Sequence, residues 1–516
     1  MNISLRVLLM TGALAAVGWP APSAWGQQAK PAAPGTQAAE QPDLSTRYRF
    51  RERYTPSPTP PEGTIGQYRV ALRETDTTTV DRPRATPTRR DLTIQATYQE
   101  RPAEISLLDD RQVTAAVRRY ESVRIDPEPP DPPAGPKLFE GLTVWFKDRP
   151  GDVPLVLSLT PGRPLREREY LFAARQVFVP DLAFALPELP VRVGDPYRVS
   201  RAGAEALLAG TVREGTLEGK LLHIRPEAQG PSGQMMATFD ITGRAVIDLG
   251  PADVHAQIRF VCAPVPAAAS TARVPIMDSP GQIVRLSLAY ELDTGPAPAG
   301  GEAQPARMRL RRELVLHRTT TDPGRMLAIP TVPPVPTPEN SWLTYQDPKG
   351  RFRFQHPQEL FPQPDPEPDL VRLIHPRRTA PDLVAIELRP QSELDLDKLR
   401  ESWLAAQKAD GLQTVAVSSG PLPAADWPGG WKVSRFEAAL LPAAGAPPGS
   451  GRAHFVGYVL LTGRDTGLYV ESYTVQDPPA PFHQQVEAML KTFQFEGTPK
   501  PSAPDRPQSR APDSGS

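Results

Sequence analysis

The sequence predicts an α+β protein of two domains: a large antiparallel β-rich domain, then a smaller module in which helices cover a sheet. Three observations carry that expectation. From about Gly63 to Arg318, apolar residues recur with period two, the habit of strands with one face on a core and one in water. Beyond residue 340, apolar strand-like runs are interrupted by two stretches of helical spacing. Between these regions, residues 319–340 carry Pro323, Pro330, Pro333, Pro334, Pro336 and Pro338, which sheet and helix interiors do not accommodate.

The chain start supplies a compartment. Met1 to Gly26 places Arg6 before an apolar run from Val7 to Val17 and ends on small residues at Ala24 and Gly26, the layout of a secretory signal peptide. That run is too short to cross a bilayer, and no later stretch approaches the ~18 apolar residues a spanning helix needs. An exported protein, periplasmic or extracellular and without a transmembrane span, is expected. Cys262 is the only cysteine, so burial alone must hold the fold. It ends the alternating strand His255 to Cys262 and reads as a small buried hydrophobe rather than a nucleophile.

Composition narrows the partners. With 516 residues the chain has room for two or three cored domains. A net charge of -1 and a pI near 6.7 leave no electrostatic footprint for nucleic acid or an anionic membrane. The 65 prolines exceed an average share of ~5% more than twofold, so linkers, turns and strand ends must be numerous.

Residues 27–44, rich in Gln, Ala and Pro, read as a disordered leader. The β-rich domain then spans 45–318, as a sandwich, a half-barrel or a closed barrel. Tyr68, Val70 and Leu72 alternate with polar residues, as do Leu92, Ile94, Ala96 and Tyr98, and Val113 to Val123 allows another strand. A proline block near 126–137 reads as an insertion. Strand-like segments resume at Leu142–Phe146, Val153–Leu159, Gln176–Val179 and Phe184, and Arg201 to Leu208 reads as a short helix. Strands near 210–212, 219–224, 235–241, 244–249, 254–261, 282–291 and 307–318 complete the domain. After the linker at 319–340, the module occupies 341–496 and a disordered tail 497–516.

In the module, Leu370 to His375 and Leu383 to Leu388 are compact apolar runs bounded by prolines, as buried strands are. Leu396, Leu399, Trp403 and Leu404 recur at helical spacing, with Asp395 or Asp397 placed to cap. Strands at Gln413–Ser419, Trp431–Leu440, Ala453–Thr462 and Gly467–Val475 follow, then a helix presenting Phe482, Val486, Met489, Leu490 and Phe493 on one stripe.

This order, opened by Tyr345-Gln346-Asp347-Pro348, Gly350-Arg351-Phe352, Phe354 and Pro357 and closed by the aromatic helix through Phe495, resembles the PsbP-like family. The resemblance covers about residues 341–495 and implies an α-β-α sandwich that binds or scaffolds, with no shared catalytic residues. The matching residues are structural, so it transfers no site. The β-rich domain is only weakly similar to the exported LolA-type β-folds.

Signatures of chemistry are missing from the sequence: no His-Glu-x-x-His, phosphate loop, Gly-x-Gly-x-x-Gly or Gly-x-Ser-x-Gly. Seven histidines are scattered singly, and His255 and His317 fall on strand faces opposite the apolar residues. No catalytic, cofactor-binding or metal-ligating residue is assigned. Arg307, Arg309 and Arg311 share one strand face beside Arg312, either as an anion-binding ladder or, the favoured reading, as the solvated face of an edge strand. Asp109-Asp110-Arg111 and Asp395 with Asp397 lack the spaced oxygens of a calcium loop. Trp427, Trp431 and Trp403 line a groove or, more simply, fill a core. The leading expectation is an exported, non-catalytic bacterial envelope protein whose partner is another envelope protein. The alternative is a carrier holding a lipid or other apolar small molecule in the β-rich domain, and an enzyme with dispersed residues ranks third.

Overall fold

A computed structural model describes residues 45–495 apart from 82–85, 107–111, 128–137, 150–153, 228–233, 248–249, 267–274, 297–306, 322–325, 364–368, 376–381, 410–411, 428–429 and 442–452. The expected signal peptide, the leader, the tail, Asp109-Asp110-Arg111 and most of the proline block lie outside the described residues. The described chain is a strand-rich α+β protein, and it divides into two compact units, one ending at Ser341 and the other opening at Trp342.

The first unit contains β1 (Arg47–Arg51), β2 (Tyr68–Asp81), β3 (Thr88–Ile105), β4 (Val113–Asp126), β5 (Thr143–Lys147), β6 (Leu155–Ser158) and β7 (Leu165–Arg166). Helix α1 (Glu167–Arg175), β8 (Pro196–Arg198) and α2 (Arg201–Leu208) come next. Then follow β9 (Val212–Pro226), β10 (Met235–Ile247), β11 (Gly250–Cys262), β12 (Val265–Pro266), β13 (Ile276–Pro296), β14 (Arg307–Thr320) and α3 (Pro338–Ser341). Eleven strands form one continuous path, β6-β5-β4-β3-β2-β14-β13-β11-β10-β9-β8. The path is open, with β6 and β8 at its ends, so the closed barrel gives way to an open sheet. Alternation holds along it: Tyr68, Val70 and Leu72 of β2, Leu314 and Leu316 of β14, and Ala256, Ile258 and Phe260 of β11 are all buried. Phe50 of β1 stacks edge-on against Phe239 at 4.9 Å and Phe260 at 5.5 Å, closing the core from below β10 and β11.

Two expectations change here. Residues 176–185 are not strands: α1 runs to Arg175 and a 3-10 turn covers Val179–Ala185. Helix α1 starts where Glu169, fully buried, accepts from the Arg166 and Phe139 backbone N–H groups at 3.1 and 2.7 Å and pairs with Arg163 at 2.7 Å. Buried Tyr170, Phe172, Val179 and Leu182 then turn an apolar stripe onto the core, which short apolar runs alone do not distinguish from strand. The expected linker, in turn, starts inside β14 and is anchored at Leu327, which packs with Trp145 and Leu157. Burying such a side chain contributes about 1.5–3 kcal/mol, and the Leu327 N–H also donates to Gln67 at 2.6 Å.

The second unit opens with β15 (Trp342–Gln346), β16 (Phe352–Pro357), β17 (Phe361–Gln363), β18 (Leu370–Ile374), β19 (Leu383–Pro390) and α4 (Leu396–Ala409). It continues with β20 (Gln413–Pro421), β21 (Lys432–Leu441), β22 (Ala453–Leu461), β23 (Thr466–Thr474), α5 (Ala480–Leu490) and β24 (Gln494–Phe495). Its main sheet is antiparallel in the order β17-β18-β19-β23-β22-β21-β20, and the expected strand through Phe352 and Phe354, β16, pairs with β15 and β24 instead of joining it. Alternate residues feed two cores. On one face Val456, Tyr458, Leu460, Leu468 and Val470 pack under Phe482, Val486 and Met489 of α5 and the stacked Phe354 and Phe493 rings, 4.4 Å apart. On the other face Phe436 and Phe455 pack against Trp403 of α4, whose ring lies 4.0 Å from that of Phe455 and whose indole N–H donates to Tyr473. Helices therefore cover both faces of this sheet.

Candidate binding surface

The core face of the long sheet is occupied by protein. Tyr68, Tyr98, Phe146, Phe239 and Phe260 have essentially no exposed surface there, and neither do Arg118 and Arg318. Each arginine is neutralised in place. Arg318 pairs with Glu52, donates to the Ile283 carbonyl at 2.7 Å and to Tyr54 at 3.1 Å, and lies over the Tyr68 ring at 4.9 Å. The Tyr68 hydroxyl donates to Glu100, which pairs with Arg118 at 2.6 Å. Arg118 in turn donates to Gln176 at 2.9 Å, and so does Tyr120 at 3.1 Å. Burial pushes the Tyr54, Tyr68, Tyr98 and Tyr120 hydroxyls upward, so these groups stay protonated. A desolvated guanidinium needs a carboxylate, and this network supplies one to each arginine.

The opposite face is exposed and ordered by strand register. Arg307, Arg309 and Arg311 project from it as the sequence places them, but β14 lies between β13 and β2, so they do not form an edge. That replaces the edge-strand expectation. Each meets a carboxylate from a neighbouring position: Arg307 pairs with Asp293, Arg309 with Asp81 at 3.7 Å, and Arg311 with Glu313 at 2.7 Å. A shallow polar concavity beside Arg311 is lined by Thr75, Thr77, Arg89 and Glu313. A second open concavity runs along Arg198 to Ala204 and Val212 to Leu217. Arg312 points to the core face, where it pairs with Asp76 at 2.7 Å and Glu74 at 3.2 Å over the Tyr290 ring.

Other sequence candidates find structural places. Trp427 is buried in the α5-side core, with the Lys491 ammonium 5.4 Å from its ring centroid, and Trp431 shares that core. Asp395 caps α4, accepting from the Asp397 and Lys398 N–H groups at 3.1 and 3.2 Å. Cys262 is buried, and burial pushes its thiol up to about 12. His255 pairs with Asp240 at 2.9 Å on the exposed face. Among the described residues no group of three His, Cys, Asp or Glu side chains is placed to hold a metal ion, and no helix is long and apolar enough to cross a membrane.

Sequence reasoning missed the two fully buried ion pairs of the core face, Arg318 with Glu52 and Arg118 with Glu100. Their signal is parity. Arg318 follows Leu314 and Leu316 at steps of two, Glu100 follows Ala96 and Tyr98, and Arg118 shares the parity of Tyr120, so each charge falls on the apolar side of its strand.

No protein-family model matches the sequence, and no curated protein matches it. Among solved structures the chain is similar to cyanobacterial PsbP from Synechocystis sp. PCC 6803, at 13% identity over 30% of this chain and 92% of that one, with a TM-score of 0.24. It is also similar to the Ran-binding protein Mog1p of Saccharomyces cerevisiae, at 10% identity over 30% of this chain and 95% of that one, TM-score 0.23. A LolA-superfamily protein of Nitrosomonas europaea matches at 7% identity over 48% of this chain and 84% of that one, TM-score 0.12. Likenesses this distant place the chain in no family.

Proposed function

We propose that this is an exported, non-catalytic envelope protein that binds or scaffolds a partner through the exposed face of its long sheet. One observation carries the reading: the core face is filled by aromatic rings and by neutralised arginines, while the opposite face presents register-ordered rows of polar side chains across eight strands. A rigid sheet of this width is a platform for recognition, and rows of charge on it set partner choice more than affinity. Native mass spectrometry of the mature protein from its own envelope is the test. A protein partner or a bare chain is expected; a co-purifying lipid held in stoichiometric amount would overturn the reading.

The carrier reading keeps one specific support. At one end of the core face Leu92, Ile94, Val123, Ile125 and Leu310 stay half-exposed, an apolar strip beside the Arg312 cluster. A carrier would hold an acyl chain against that strip, and Ile94→Glu would then abolish lipid retention without changing partner binding.

A further inference from the structure

We propose that the row centred on Arg259 and Arg285, on the sheet face opposite the core, binds a tetrahedral oxyanion, a phosphate or sulfate group carried by a larger polyanionic ligand. The inference rests on the exposed face being the binding surface and names the chemistry that surface recognises.

The row is fixed by register. Arg259 of β11 stands directly opposite Arg285 of β13, and Arg285 directly opposite His317 of β14. On the other side Arg259 faces Thr238 of β10, which faces His223 of β9. Continuing past His317, the row reaches Ala71, Thr97 and Ser122, so it contains no carboxylate from one side of the sheet to the other. Asp240, one row away, is held by His255.

Like charges directly opposite one another on neighbouring strands are destabilising. Arg259 and Arg285 are moreover half-buried, and among the described residues neither has an ion pair or a hydrogen-bond partner. Elsewhere on this face Arg307, Arg309 and Arg311 each meet a carboxylate, as do Arg69 with Glu121 and Arg89 with Asp91. Arg73 and Arg124 also lack one, but both are exposed and hydrated. A half-desolvated pair of unneutralised guanidinia is retained at a cost, and an external anion removes it.

The chemistry fits one class of ligand. A guanidinium offers a planar fork that matches tetrahedral oxyanions bidentately. Three adjacent strands at ~4.8 Å spacing put Arg259, Arg285 and His317 within about 10 Å, enough to grip one such group from several sides. Arg225, beyond His223 on β9, extends the basic track for a second anionic group. Both imidazoles are held below the ordinary histidine range, first by partial burial and then by these arginines (Arg285 and Arg259 for His317, Arg225 and Arg259 for His223), so both sense the same positive field. An arriving anion would relieve it.

The experiment uses the mature full-length chain with two probes. Sodium tripolyphosphate is titrated calorimetrically at low and high salt, and co-sedimentation is measured with phosphatidylcholine vesicles with and without phosphatidic acid. Wild type is expected to bind at least one probe, more weakly as salt rises. Arg259→Gln/Arg285→Gln should weaken binding at least about tenfold, whereas Arg307→Gln/Arg309→Gln should change it less than about twofold. The first variant should melt at or above the wild-type temperature, since a repulsion has been removed, and the His317 and His223 ring resonances should shift on saturation of wild type. Tripolyphosphate alone identifies a soluble phosphate ligand, and acidic vesicles alone identify a lipid headgroup. Absence of binding to both probes by folded wild type, or equal losses in the two variants, overturns the proposal. A protein partner still retained by Arg259→Gln/Arg285→Gln in native mass spectra would leave the exposed-face reading standing while removing this one.

Discussion

Arg118 Nη2 lies 2.6 Å from Glu100 Oε2, and neither side chain has any exposed surface. The pair joins β4 to β3 on the core face and, through Gln176, ties the segment after α1 to the sheet. Removing one partner strands a charge where water cannot reach it. Arg118→Met is therefore expected to cost about 3–5 kcal/mol, read from the urea midpoint of the full chain. Glu100→Gln/Arg118→Met should recover a good part of that loss. A single-variant loss below ~1 kcal/mol would show that the pair does not organise this core.

A second prediction concerns a close approach in the other unit. A Cβ on Gly457 would lie 2.5 Å from Cε1 of Phe436, the ring directly across from it on β21, and that ring is fully buried. Gly457→Ala must push Phe436 toward Trp403 and Phe455, whose rings lie 5.8 and 5.2 Å away. Overpacking of this kind costs about 1–3 kcal/mol. Phe436→Leu in the Gly457→Ala background should regain part of it. Strict additivity of the two losses would mean that the ring is not what the methyl meets.

Much of this architecture was legible because period-two patterning is a direct consequence of the pleat. The strands from Tyr68, Leu92, Val254 and Arg307 onward lie where alternation places them, and α4 begins at the Asp395 cap. Alternation carries no information on neighbours, however. It could not show that β14 pairs with β2 across more than two hundred residues of sequence, and so the arginine ladder looked like an edge. Residues 176–185 misled for a related reason: Val177, Phe178 and Val179 form a short apolar run that suits a strand as well as a buried turn. The basic row depends on register as well, since Arg259 and Arg285 become partners only when β11 meets β13. For Trp427 the spacing left core and groove both open, and the structure places it in the α5-side core.

Cys262 offers a clean probe of the core. Its side chain is buried beside β10 and β13, and burial pushes the thiol up to about 12, so little thiolate forms at neutral pH. Labelling by a maleimide or a disulfide reagent should be slow in native buffer and become rapid only across the unfolding transition of the first unit. Stoichiometric labelling within minutes in the absence of denaturant would mean that β11 opens locally, well before the sheet unfolds.

The second unit should lose stability in acid through its histidines. His356 is fully buried, its Nδ1 lies 2.9 Å from the Pro357 carbonyl, and burial draws its pKa down to about 4. His483 is drawn down to about 4 as well, by burial first and then by His454 and Arg435. In the unfolded chain both return to about 6.5. Below that value the unfolded state binds protons that the native state refuses, so their stabilising contribution is intact above about pH 6.5 and is lost as the pH falls toward about 4. Each group contributes a slope approaching about 1.4 kcal/mol per pH unit within that window. Unfolding free energies measured at about pH 7 and about pH 4.5 should therefore differ less for His356→Phe/His483→Phe than for wild type, whatever the cost of the substitutions at neutral pH. Equal differences in the two proteins would assign the acid sensitivity to carboxylates instead.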